Sequence, residues 1–130
     1  MTPRNKQTPT ASIELTRRAL TDLREIERYS VKMWGRKTAD KYLDDIAAAL
    51  DRLRECPEIL RLEPDFAPGL FFYRVNQHFL VCDDQGAIVV VLTVIHTSMN
   101  LPARLAELEP RLIAESQLLQ AKLRRKPGRD

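Results

Sequence analysis

A chain of 130 residues with 44% hydrophobic residues is long enough for one domain with its own core. No window approaches the roughly 20 apolar residues of a membrane span, and the opening MTPRNKQTPTAS has no apolar segment of the kind secretion needs, so the expected location is cytoplasmic and no membrane partner is expected. The formal charge of +3 belongs to the ends: residues 13–109 hold 13 Lys/Arg against 16 Asp/Glu, which argues against a basic, nucleic-acid-binding face on the fold itself.

Residues 1–11 are polar and carry prolines, and read as a flexible leader. SIEL, residues 12–15, alternates like a short strand. At Thr16 the period changes, and Ala19, Leu23, Ile26, Ser30 and Met33 fall on one helical face flanked by Leu20 and Trp34. Thr16 suits an N-cap and Gly35 the residue after the helix. A second helix is expected from about Thr38 to Glu55, stopping before Pro57, with Ala39, Tyr42, Leu43, Ile46, Ala49, Leu50 and Leu53 along its stripe. So short a link makes the two a helical hairpin.

After the proline-punctuated PEILRLEPDFAPG come LFFYRV, HFLVC and AIVVVLTVIH, rich in aromatic and β-branched residues and separated by NQ and DDQG. Connections that short join antiparallel neighbours. The order β-α-α-β-β-β implies an α+β fold, a helical hairpin packed on a small antiparallel sheet, with a C-terminal helical extension. In that extension Leu101, Leu105, Leu108, Leu112, Leu119 and Leu123 recur at helical spacing, and Pro110 is better suited to start a second helix than to sit inside one. A globular domain is assigned to residues 12–109 and a basic helical extension to 110–130. Its leucines are expected to pack on the chain's own sheet or to form a homodimer.

Chemistry is thinly represented. Cys56 and Cys82 lack CxxC spacing and a nearby histidine pair, so neither metal nor disulfide is expected and both should be buried thiols. No HExxH, H-x-x-x-H or Ser/His/Asp arrangement occurs. Tyr73, Arg74, His78 and His96 are the strand residues able to serve as base, acid or cation, and Arg74 and His78, flanking the NQ turn, read as cross-strand neighbours. No catalytic residue, cofactor or metal is assigned.

IERYSVKMWGRKTADKYLDDIAAALDRL and HFLVCDDQGAIVVVLTVIHTSMNLPARL resemble the ParE branch of the ParE/RelE toxins of type II toxin–antitoxin modules. The likeness rests on Tyr29, Trp34 and Gly35, on RLRECP, and on the strand end VIHTSMNLPARL. It implies a cytoplasmic, non-enzymatic growth inhibitor that acts on DNA gyrase by protein contact and is neutralised by a ParD-like ribbon-helix-helix antitoxin. RelE-like relatives instead cut messenger RNA on the ribosome, and a degenerate toxin kept only as antitoxin partner is a third reading. The resemblance points to antitoxin contact at Tyr29, Trp34, Tyr42 and Ile46, and to target contact at Arg74, His96, Met99, Asn100 and Arg104. The strand end departs from the usual His-x-Arg-Met-Asp, with Ser98 and Asn100 at the charged positions. His96 itself reads as structural, one ring nitrogen bonded to nearby backbone to fix the exit of the last strand. A tail lying over the sheet near Arg74 and His96 would act as a lid on the target surface.

Overall fold

The structure, a computed structural model, describes residues 11–125. Strand β1 (Ser12–Leu15) leads into helix α1 (Arg17–Trp34) and helix α2 (Arg36–Glu55). A 3-10 turn (Pro57–Ile59) and a two-residue strand β2 (Arg61–Leu62) precede β3 (Phe71–Val75), β4 (His78–Asp84) and β5 (Ile88–His96). Helix α3 (Leu101–Arg125) closes the described chain.

Local chemistry explains the boundaries. The Thr16 hydroxyl accepts the Ala19 N–H, capping α1. Gly35, at φ 93°, adopts the left-handed backbone that lets α2 begin one residue after α1 ends. The β3–β4 hairpin turns on Asn76 and Gln77, with Asn76 at φ 54°, a conformation asparagine tolerates better than most residues.

The α+β class and the element order agree with the sequence reading. The sheet, ordered β1-β5-β4-β3-β2, is mixed: β3, β4 and β5 are consecutive antiparallel neighbours, whereas β1 pairs in parallel with β5 from Ser12–Ile88 to Leu15–Val91. Periodicity assigns strands but not the partner of a strand separated from the rest by two helices. Leu92 is an extra residue in β5, since Val81 faces Thr93 and Cys82 faces Val91, and this bulge re-aims the end of the strand.

Each sheet face has its own core. The helical hairpin packs Ala19, Ile46, Ala49 and Leu53 onto Leu80, Cys82, Val89, Val91 and Val94. On the other face α3 lays Leu101, Leu105 and Leu112 over Phe72, Val81, Val90, Leu92 and Ile95. Phe66, Phe72 and Phe79 meet edge to face beside them, with centroids 5.3 to 6.0 Å apart.

Helix α3 corrects the expectation that Pro110 begins a new helix, because it runs unbroken from Leu101 through Pro110. An internal proline costs about 3 kcal/mol. Burial of Leu105 and Leu112 on either side of it, about 1.5–3 kcal/mol each, offsets that cost by holding both halves on one sheet face. Leu101, Leu105 and Leu112, with Leu108 and Leu119 partly buried beside them, therefore pack on the chain's own sheet. Of the expected leader 1–11, residues 1–10 lie outside the described residues, as do 126–130, whereas Ala11 is buried in the core and donates its N–H to the Arg54 carbonyl.

Candidate functional site

At the end of the sheet where β4 begins and β5 ends, the hairpin does not cover the strands completely. A groove of about 250 Å³ remains, walled by Ile26, Tyr29 and Trp34 of α1 and Tyr42 of α2, and floored by His78, Val94 and His96. Its rim is aromatic and open. Tyr29 and Trp34 are 57% and 59% exposed and meet edge to face at 5.6 Å. Tyr42 is half-buried, and Ile46, one turn further along α2, is 2% exposed and belongs to the core. Of the residues expected to meet an antitoxin, Tyr29, Trp34 and Tyr42 come together on the groove; Ile46 has no surface to offer.

The floor is a hydrogen-bonded chain. Tyr42 Oη accepts the Gln77 N–H at 3.1 Å and lies 2.5 Å from His78 Nδ1. Burial, reinforced by the neighbouring His96, pushes the His78 pKa down to about 4, so the ring is neutral at physiological pH. Burial likewise raises the Tyr42 pKa, against the Gln77 amide, which lowers it. His78 faces His96 across β4 and β5, the rings edge to face at 5.1 Å.

His96 Nδ1 accepts the Ser98 N–H at 3.0 Å, and the His96 carbonyl accepts the Met99 N–H at 3.0 Å. Together these bend the chain out of β5 toward α3, the backbone role expected of this ring. Asn100 then caps α3 by accepting the Ala103 N–H through its side chain. Since Asn and Asp cap about equally well, the amide in place of the usual acid preserves the turn.

Arg74 does not join this site. It pairs with Phe79, not His78, and its Nε donates to the Asn76 carbonyl, holding it at the β3–β4 turn. The expected Arg74–His78 neighbourhood is therefore corrected: Val75 is the residue opposite His78, and alternation sends Arg74 to the other sheet face. His96, Met99 and Arg104 do meet, bordering a smaller cleft of about 180 Å³ between α1 and the start of α3. Helix α3 lies on the opposite face from the aromatic groove.

Asp22 links the groove to this cleft and was not singled out from the sequence. It is buried, takes the Arg18 guanidinium at 3.0 Å, the Thr93 hydroxyl at 2.5 Å and the Val94 N–H at 3.0 Å. Beyond Leu15 the strand β1 has ended, so this carboxylate satisfies a β5 amide that lacks a ladder partner. Its sequence signal is an acid set among the apolar positions Ala19, Leu23 and Ile26.

The cysteines are not bridged. Cys82 is buried with its thiol pKa pushed well up by that burial, and Cys56 is half-buried with its sulfur 3.0 Å from Glu58. Among the described residues no group of three or more His, Cys, Asp or Glu is arranged to hold a metal, and no helix is long and apolar enough to cross a membrane.

Residues 13–101 match the family model described as ParE toxin of type II toxin-antitoxin system, parDE. Among curated proteins the chain is 29% identical over 94 residues to Toxin ParE of Escherichia coli, covering 72% of this chain and 91% of that protein. It is 30% identical over 100 residues to Toxin ParE1 of Caulobacter vibrioides, covering 70% and 94%. A solved chain from the chromosomal ParDE TA system from P. aeruginosa shares the fold at a TM-score of 0.61 and 21% identity, with 68% of this chain and 98% of that one covered. The family match ends at the first residue of α3. The chain belongs to the ParE toxin family of type II toxin–antitoxin systems.

Proposed function

We propose that this chain is the toxin of a ParDE-like module, acting in the cytoplasm on DNA gyrase by protein contact rather than by catalysis. A ParD-like ribbon-helix-helix antitoxin neutralises it by laying a segment into the aromatic groove. The observation that carries the reading is the state of the groove floor. Both histidines have Nδ1 engaged, by the Tyr42 hydroxyl and the Ser98 amide, and His78 is neutral. The nearest strand arginine expected to balance phosphorane charge, Arg74, lies on the other sheet face. These engagements weigh against ribonuclease chemistry at the groove floor, and exposed Tyr29 and Trp34 have the composition of a protein-binding surface.

On this reading the target surface is the cleft of His96, Met99 and Arg104, with Asn100 shaping it as the α3 cap. With Leu105 and Leu112 buried on its own sheet, these leucines are not free to form a dimer through α3. Induced expression without antitoxin tests the proposal: growth arrest with a DNA-damage response and intact messenger RNA is the expected result. Transcript cleavage on ribosomes without DNA damage would assign the chain to the RelE mode. Loss of both effects with antitoxin binding retained would mark it as degenerate.

A further inference from the structure

We propose that the solvent face of α1 is a docking surface for the phosphate backbone of duplex DNA. Arg17, Arg24, Arg28 and Lys32 fall within a quarter turn of one another on a helical projection, opposite the face that carries Ala19 and Ile26. All are exposed. Four of the six other cations of the hairpin are held by acids, Arg18 by Asp22, Arg36 by Glu27 and Asp40, Lys41 by Asp45 and Arg54 by Asp51, while Arg52 lies on Tyr73 and Lys37 makes no ion pair among the described residues. None of the stripe's cations lies within ion-pair distance of a carboxylate among the described residues. The slightly acidic balance of residues 13–109 concealed this stripe, because a sum along the chain does not register that helical geometry gathers the cations on one side.

Helix stability does not account for the arrangement. Arg24, Arg28 and Lys32 are spaced i, i+4, i+8, where like charges repel. At the N-terminus the charges of Arg17 and Arg18 are already offset by the Glu115 carboxylate on the Arg17 N–H and by Asp22. An anionic surface would relieve the repulsion along the stripe. The spacing suits a regular polyanion: four helical residues rise about 6 Å, close to the roughly 6.8 Å axial separation of alternate phosphates on one DNA strand. The exposed aromatics Tyr29 and Trp34 lie on the groove side of α1, not in the stripe, so nothing in it stacks on unpaired bases, which favours a duplex over a single strand. The stripe is separate from the aromatic groove, so an antitoxin seated there would leave it open. The inference does not depend on gyrase being the target.

The test is fluorescence anisotropy of the full chain with a labelled 24-base-pair duplex between 50 and 200 mM salt. Neutralising four phosphates predicts a slope of log affinity against log salt of about −3.6, or about 150-fold weaker binding over that range. In R24Q/R28Q/K32Q the slope should fall to about −0.9, about a fourfold loss. K41Q/R54Q, which removes paired cations of α2, should keep the original slope. Circular dichroism melting checks that the triple variant is folded, as expected when mutual repulsion is removed. Equal binding by the original chain and the triple variant, or no binding at 50 mM salt, overturns the proposal. Tighter binding to a poly-glutamate peptide than to the duplex overturns it in favour of an acidic protein partner.

Discussion

The Tyr42 hydroxyl and His78 Nδ1, 36 residues apart in the chain, lie 2.5 Å from each other and tie α2 to the start of β4 at the floor of the aromatic groove. The same hydroxyl accepts the Gln77 amide, so one phenol fixes both the ring and the hairpin turn. Tyr42→Phe removes both bonds while keeping the ring. The expected cost is about 1–2 kcal/mol, read as a lower urea midpoint with unchanged m-value. An unaltered midpoint would mean that water replaces the hydroxyl without loss.

The same pair predicts an acid-sensitive fold. His78 has a pKa of about 4 in the folded state against an ordinary 6.5, because burial and His96 disfavour its charged form and Asp22 only partly offsets them. Between those values the unfolded chain binds the proton and the folded chain does not, so stability rises with pH across that window and is lost as pH falls through it. The displacement is worth at most about 3 kcal/mol, and screening of a partly exposed ring reduces the expectation to about 1–2 kcal/mol. Melts at pH 4 and 7, compared with His78→Gln, isolate the contribution. A His78 titration midpoint near 6.5 by NMR would remove its basis.

Asp22 and Thr16 stitch α1 along β5, Thr16 donating to the Leu92 carbonyl at 2.7 Å and Asp22 receiving the Val94 amide. Asp22→Ala leaves that amide and the Arg18 charge without their acceptor, for an expected loss of about 2–4 kcal/mol. Asp22→Asn keeps one acceptor oxygen and should cost roughly half as much. Hydrogen exchange at Val94 should rise in both variants ahead of the rest of β5. Uniform exchange across the strand would show that Asp22 does not hold this edge locally.

The difference between Thr16 and Asp22 shows what the sequence could disclose. Thr16 was legible as a cap because the evidence is local: a hydroxyl residue at a change of period, three residues before a buried alanine. Asp22 acts through a β5 amide 72 residues away, and no local pattern reports where β1 stops along β5. The groove was legible in part for the same reason. Tyr29 and Trp34 flank the helical stripe, but Ile46 and Tyr42 share one stripe, and only packing decides that the first is core and the second rim. Arg74 was misplaced by a single register step, since opposite His78 the hairpin puts Val75.

If the antitoxin occupies the groove, the two exposed aromatics should carry much of its affinity. Trp34→Ala and Tyr29→Ala are each expected to weaken antitoxin binding by about 2 kcal/mol or more, with little effect on the melting temperature of the free toxin. Isothermal titration with the cognate antitoxin reads the first effect and calorimetric melting the second. Unchanged affinity in both variants would move the antitoxin to another surface. Ile46→Ala should behave oppositely, costing about 2–4 kcal/mol of stability as a core truncation.

Helix α3 should prove structural. Leu112 is 3% exposed on the sheet, Ser116 and Gln120 reach Asp83 at 2.8 and 3.3 Å, and Glu115 accepts the Arg17 N–H at 2.7 Å, capping the start of α1. Leu112→Ala is expected to cost about 2–4 kcal/mol. Leu118→Ala, at a position 72% exposed, should be near neutral. Deleting residues 110–130 bares part of the face around Val81 and Val90 and leaves Asp83 without those partners. The truncated chain should therefore melt lower, bind a hydrophobic dye and associate more than the intact chain. Because α3 lies on the face away from Tyr29 and Trp34, antitoxin affinity per folded molecule should not change. Higher toxicity at unchanged stability would instead make the helix a lid, and a dimer that falls to monomer on truncation would make it an interface.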